Sequence, residues 1–237
     1  HYDEDWTRFA ARHFVRVGAG AVQLTFVSNG YRVGIVGATG AVGQELLTLL
    51  GERPFPFREL RLLASARSAG QDMGGITVQE TTADSFAGLD VVFFSAGAGR
   101  SREFAPAAIQ AGATVIDNSS AFRMDPTVPL VVPEINFDAI GPENRLIANP
   151  NCTAILLLMA ISPLRKLGRI RRVVVSTYQS ASGAGAAAMQ ELEDQTHAYL
   201  HGQTLEPVVF PHPYAFNLFS HNTPINEQGW NEEEWKV

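Results

Sequence analysis

The sequence has 237 residues, 46% of them hydrophobic and 18% charged, with a formal net charge of −6. An acidic chain of this kind does not suit a protein whose main partner is a nucleic-acid backbone. One cysteine excludes an internal disulfide framework and any multi-cysteine metal site, so no metal is expected. The strongest apolar run, residues 155–161, is far too short to cross a bilayer, so no membrane is expected either.

Residues 1–30 open on the acidic "HYDED" and carry no secretory pattern of basic start, apolar core and small-residue cleavage site. They are read as an extension outside the fold. From Tyr31 the pattern changes. "YRVGIVGATGAVGQELLTLLGER" reads as strand, glycine turn and helix: Val33, Ile35 and Val36 suit a buried parallel strand. Leu46, Leu47, Leu49 and Leu50 give the helix an apolar side, and Gly51 and Pro54 stop it. "ELRLLAS", "LDVVFFSAG" and "TVIDNSS" read as further strands, and "REFAPAAIQAG" as a helix ending at Gly112. Strands alternating with helices predict an α/β fold, a Rossmann-type doubly wound parallel sheet, over residues 31–150.

A second domain, α+β and incomplete, is expected over residues 151–237. The apolar run after Cys152 reads as a helix to Leu167, interrupted at Pro163. "RRVVVSTYQSASG" reads as a strand entering a small-residue loop, and "AAAMQELEDQTHAYLHG" as a helix. "PINEQGWNEEEWKV" begins like another helix and stops mid-pattern.

Two features point to chemistry. "GATGAVG" sets Gly37, Gly40 and Gly43 between a strand and a helix. Glycines there permit a tight turn and close backbone approach to a pyrophosphate, which the helix N-terminus attracts. Thr39, Ala41 and Val42 complete that turn. An acidic residue after the second strand would bond the ribose hydroxyls of NAD. Here "LLASARSAG" offers Ser65, Arg67 and Ser68 and no acid, which suits the 2′-phosphate of NADP. The second feature is Cys152, set after Asn149, Pro150 and Asn151, a turn and cap cluster. Lone cysteines are mostly inert core residues. At a helix start, however, free N–H groups stabilise a thiolate, and in a chain with a nicotinamide fold a nucleophile is the better reading. A thiol beside a nicotinamide suggests aldehyde oxidation through a thioester.

With these motifs the sequence resembles the aspartate-β-semialdehyde dehydrogenase family. The resemblance rests on "GIVGATGAVGQELL", "LLASARSAG", "DNSSAFRMD", "PLVVPEIN", "ANPNCTA", "STYQSASGAG" and "NEEEWK", in that order from Tyr31 to Val237. It implies reduction of L-aspartyl-4-phosphate by NADPH to the semialdehyde, with release of phosphate, on the route to lysine, threonine, methionine and diaminopimelate. It implies Cys152 as the thioester nucleophile and Gln179 as the residue that positions the thioester. Asn118 and Arg123 would line the site, with Arg123 on the phosphate. Glu233 would face the substrate amino group and Lys236 the phosphate. Ser182 and Gly183 would lie under the cofactor, and Gly97 along its phosphates. A homodimer is implied, in the cytoplasm, or in the plastid of a plant or alga.

The family's carboxylate-binding arginine and acid–base histidine are expected beyond residue 237. None of His1, His13, His197, His201, His212 and His221 stands in the histidine's context; His212 and His221 are read as loop or packing residues. These residues are therefore expected to be a fragment of the enzyme, with little activity alone. Two alternatives are a related N-acyl-glutamyl-phosphate-type reductase and a non-catalytic NADP-binding or dimerising protein. The "NPNC" context weighs against the first, and retention of Cys152, Gln179 and Arg123 against the second.

Overall fold

The computed structural model describes residues 11–17, 20–53, 55–220 and 225–236. The chain divides into two compact units, residues 1–150 and 151–237.

In the first unit, β1 (Ala11–Val17) runs antiparallel to the start of β2 (Gly20–Val36). Then follow α1 (Ala41–Glu52), β3 (Phe57–Ala64), β4 (Gln79–Glu80), β5 (Val91–Phe94), α2 (Ala98–Gln110), β6 (Thr114–Asp117), α3 (Pro133–Asn136) and β7 (Leu146–Ala148). The strands lie in the order β4-β3-β2-β5-β6-β7, each neighbouring pair parallel. The chain therefore leaves β2 for β3 and β4 on one side, then returns to β5 on the other. The order reverses between β2 and β5, and a crevice outside the strand ends is expected there.

Side-chain alternation builds two cores. Val33 and Ile35 of β2 and Leu60 and Leu62 of β3 face Leu47 and Leu50 of α1. Val36, Leu63, Val92 and Phe94 point the other way, against Ala105 and Ala108 of α2. Helices thus cover both faces, which is why these strands read as continuous apolar runs. Leu47 is fully buried, a gain of about 1.5–3 kcal/mol for such a side chain. Val91–Phe94 and Thr114–Asp117 match the predicted strands, and α2 ends before Gly112 (φ +94°) as the sequence suggests.

Residues read as lying outside the fold partly enter it. Leu24 and Val27 are buried, Leu24 within the core that α1 closes, and the Phe26 ring meets Phe57 edge-on at 4.7 Å. Residues 1–10 lie outside the described residues.

The second unit holds α4 (Cys152–Ile161), a 3-10 turn (Ser162–Lys166), a 3-10 turn (Ala181–Ala184), α5 (Ala186–Leu200) and α6 (Glu232–Lys236). Pro163 falls at the start of the first 3-10 turn, where the α-helix gives way. The strand expected in "RRVVVSTYQ" does not form: residues 169–180 carry no regular secondary structure. Val173, Val174 and Val175 are all exposed, and no ladder partner lies beside them among the described residues. β-Branched residues favour a strand only where a neighbour supplies the other half of the ladder. No described helix is long and apolar enough to cross a membrane.

Candidate functional site

The glycine turn sits at the end of β2, where the strand order reverses. Gly37 has φ +88°, and a Cβ there would stand 2.5 Å from the Ser95 carbonyl oxygen that follows β5. A Cβ on Gly43 would overlap the Gly37 carbonyl oxygen and stand 2.7 Å from Ala38 Cα. Gly40 is the N-cap of α1, extended and without a side-chain cap. The first N–H groups of a helix have no intrahelical acceptor. Those of Ala41, Val42 and Gly43 therefore head a helix whose start carries positive potential and is masked by no side chain. Gln44 Nε2 donates to the Thr39 carbonyl oxygen at 3.0 Å and holds the turn from behind.

The loop after β3 folds onto this turn. Ser68 N–H closes on the Ser65 carbonyl at 2.9 Å, and the Thr39 and Ser68 hydroxyls meet at 3.4 Å. Ser65 and Arg67 are exposed. A polar, cationic loop thus stands beside the phosphate-type turn, with no carboxylate between Ser65 and Gly70. Gly97 (φ +87°) is the N-cap of α2, again without a side-chain cap.

Beyond β6, Asn118 and Arg123 form a latch. Arg123 Nε donates to the Asn149 carbonyl and Nη2 to the Asn118 carbonyl, both at 2.9 Å. Asn149 Nδ2 donates to Asn118 Oδ1 at 2.6 Å. Beneath them Asp117 is fully buried. Its Oδ1 accepts from Ser101 Oγ at 2.7 Å and Ser119 N–H at 3.1 Å, and its Oδ2 accepts from Ser119 Oγ at 2.8 Å. These bonds satisfy a carboxylate that burial would otherwise penalise. They also tie α2 to the loop that carries Asn118. Sequence reading passed over Asp117, Ser101 and the latch role of Asn149. A polar residue closing an apolar strand, at Asp117, was the available signal.

In the second unit Cys152 is exposed and begins α4. Its Sγ lies 4.0 Å from Thr153 Oγ1. Asn151 is the N-cap: its Oδ1 accepts from Thr153 N–H at 2.8 Å and Ala154 N–H at 3.3 Å. Its Nδ2 donates to Glu233 Oε1 at 2.7 Å, and the same oxygen accepts from Gln179 Nε2 at 3.3 Å. Glu233 is placed by a reciprocal cap at the start of α6, where Asn231 Oδ1 takes the Glu234 N–H and Glu234 Oε2 takes the Asn231 N–H, each at 2.8 Å. Gln179 and Glu233 are thus brought together at the residue preceding the cysteine. The side chain of Lys236 lies outside the described residues. Ser182 and Gly183 are exposed on the 3-10 turn Ala181–Ala184, with Ser182 Oγ 2.7 Å from Ser180 Oγ. His212 packs edge-on to Phe219 at 5.7 Å, as a packing residue would; His221 lies outside the described residues. No cluster of metal-ligating side chains occurs among the described residues.

Residues 32–142 match the family model for the semialdehyde dehydrogenase NAD binding domain, and residues 161–237 the model for the semialdehyde dehydrogenase dimerisation domain. The chain belongs to the semialdehyde dehydrogenase family. It is 52% identical over 210 residues to an aspartate-semialdehyde dehydrogenase of Synechocystis, an alignment covering 87% of this chain and 62% of that protein. Aspartate semialdehyde dehydrogenase II of Vibrio cholerae, solved in complex with ASA, superposes with a TM-score of 0.82 at 43% identity, over 88% of this chain and 64% of that one. The Candida albicans aspartate semialdehyde dehydrogenase, solved with NADP, gives a TM-score of 0.50 at 27% identity, over 60% of this chain and 48% of that one. The chain spans just under two thirds of the length of the Synechocystis and Vibrio cholerae proteins.

Proposed function

We propose that this protein is an NADP-dependent aspartate-semialdehyde dehydrogenase, which reduces L-aspartyl-4-phosphate to L-aspartate 4-semialdehyde and releases phosphate. One observation carries the reading. Two side chains distant in sequence, Gln179 and Glu233, converge on the cap of the helix that presents an exposed Cys152. A space-filling cysteine needs no such arrangement.

The turn of residues 37–43 suits a pyrophosphate: its tight backbone admits no Cβ on Gly37 or Gly43, and it leads into the uncapped start of α1. The exposed Arg67, with Ser65 and Ser68, suits the 2′-phosphate of NADP through a guanidinium fork and hydroxyl donors. NADPH, when bound, supplies the hydride. Cys152 Sγ attacks the acyl carbon, the bond to the phosphate oxygen breaks, and a thioester is left on the thiol. Once that carbon is reduced the C–S bond breaks, and the sulfur leaves at the start of α4, the end of the helix whose dipole favours negative charge. Gln179 positions the thioester. Arg123 and Lys236 take the phosphate, Asn118 lines the site and Glu233 receives the substrate amino group. Ser182, Gly183 and Gly97 lie along the cofactor. On this reading the protein acts in lysine, threonine and methionine biosynthesis, as a homodimer, in a reducing compartment such as the cytoplasm.

The test is the reverse reaction. Aspartate semialdehyde, NADP and phosphate should yield NADPH, slowly, since little activity is expected of these residues alone; NAD should substitute poorly, and Cys152→Ser should abolish the signal. NADPH formation that survives Cys152→Ser would overturn the thioester reading.

A further inference from the structure

We infer that Tyr214 is a positioning residue for Gln179, held in place by two buried polar side chains of α5; the inference rests on the reading of Cys152 and Gln179 given above. Gln179 lies in a stretch without helix or strand, so no ladder fixes its backbone. One hydrogen bond holds its side chain, Nε2 donating to Glu233, and one holds its backbone, the carbonyl oxygen accepting from Tyr214 Oη at 3.1 Å.

Tyr214 is itself anchored. The N–H groups of Tyr214 and Ala215 both donate to Gln195 Oε1, at 2.7 and 3.1 Å. One helical turn earlier, Glu191 takes the N–H groups of Val208 and Val209 at 2.6 Å each and of Phe210 at 3.3 Å. Glu191 and Gln195 are 9% and 6% exposed, and their i, i+4 spacing puts both on one face of α5. Together they collect five backbone N–H groups from the strap of residues 206–219. Gln195 Nε2 is buried without a partner among the described residues, a cost accepted at the point where the strap is held. The Tyr214 ring packs on Phe210 at 4.8 Å and Phe219 at 5.6 Å. Phe216, two residues on, has φ +55°, a strained region for a bulky side chain, and its ring lies tilted against Tyr199 of α5 at 4.6 Å. A segment held this firmly, in a conformation this uncommon, delivers one hydroxyl to the carbonyl of Gln179.

The experiment is a double-mutant cycle on the full 237-residue chain. Acylation of Cys152 by p-nitrophenyl acetate is followed as a burst, which requires neither cofactor nor the proposed substrate. Tyr214→Phe removes only the hydroxyl and keeps the ring packing. It should slow acylation about fivefold, the loss of one net hydrogen bond, in the parent. It should change nothing further in Gln179→Ala, because its effect passes through Gln179. Gln195→Ala should slow the burst likewise, and Gln195→Glu, which keeps the acceptor, should restore it. An unchanged rate in Tyr214→Phe, an equal fall in both backgrounds, or no acylation of the parent at Cys152 overturns the inference. If the cycle shows the expected coupling but the parent does not oxidise aspartate semialdehyde with NADP, the proposed reaction falls and the role of Tyr214 stands. If oxidation runs without the coupling, the reverse holds.

Discussion

Asn151 and Glu233, 82 residues apart in sequence, are joined by a 2.7 Å hydrogen bond, and the asparagine is the cap of the helix that begins with Cys152. One side chain therefore does two things. Its oxygen takes two N–H groups of the helix start, and its nitrogen holds the carboxylate that also meets Gln179. Asn151→Ala should cost about 1 kcal/mol for the lost cap, read as a lower urea midpoint of the second unit's transition. It should also slow Cys152 acylation. Asn151→Asp keeps the acceptor but sets two carboxylates face to face. It should preserve the cap and yet slow acylation, which separates helix stability from placement of Glu233.

The glycine turn gives a steric prediction. A methyl on Gly43 meets the Gly37 carbonyl and the backbone of Ala38, neither of which can swing aside as a flexible side-chain end can. Gly43→Ala should cost about 1–3 kcal/mol and abolish NADP binding, read by quenching of protein fluorescence. Gly99→Ala, where a Cβ meets nothing within 4 Å, should leave binding unchanged.

On the proposed reading, cofactor choice rests on the loop after β3. Arg67 is exposed and stands where an acid would select NAD. Arg67→Ala should weaken NADP about tenfold or more, the scale of a charge-assisted hydrogen bond, and leave NAD affinity nearly constant. Titration calorimetry with both nucleotides checks this.

Acid sensitivity should trace to the pair Arg32 and Asp90. Hydrogen bonds from Arg32 hold the Asp90 carboxyl down, from 3.8 to about 2. A carboxyl depressed in the folded state contributes stability that is full above its unfolded value and is lost as pH falls through its folded value. The contribution of Asp90 should therefore fade between about pH 4 and about pH 2, and Asp90→Asn should flatten the urea midpoint over that window. Glu191 has the same sign. Burial pushes its carboxyl up, but the N–H groups of Val209, Val208 and Phe210 bring it below the ordinary glutamate value. The strap should accordingly loosen only in acid, seen as proteolysis near residues 206–215.

The first unit was legible because its signals are local. A β-branched strand, a glycine turn and a leucine-faced helix are all written within residues 31–53, and burial on both sheet faces shows as unbroken apolar runs. The valines of residues 173–175 carry the same strand signal, yet they stand exposed, because a strand needs a partner that its own residues do not encode. Leu24 and Phe26 were passed over because they precede the motif that marks where the family pattern starts. Gln179 and Glu233 could be named by resemblance. Their convergence on Asn151 could not, nor could the grip of Glu191 and Gln195 on a strap up to 20 residues downstream, since both depend on tertiary contacts.

The central claim is that Cys152 carries the acyl group. The most direct measurement is mass spectrometry of the peptide containing Cys152, after the protein is mixed with aspartate semialdehyde and NADP without phosphate and quenched in acid. An aspartyl adduct should form on Cys152 together with at most one NADPH per thiol and be released when phosphate is added. NADPH formed with no adduct on Cys152, or an adduct on another residue, would contradict it.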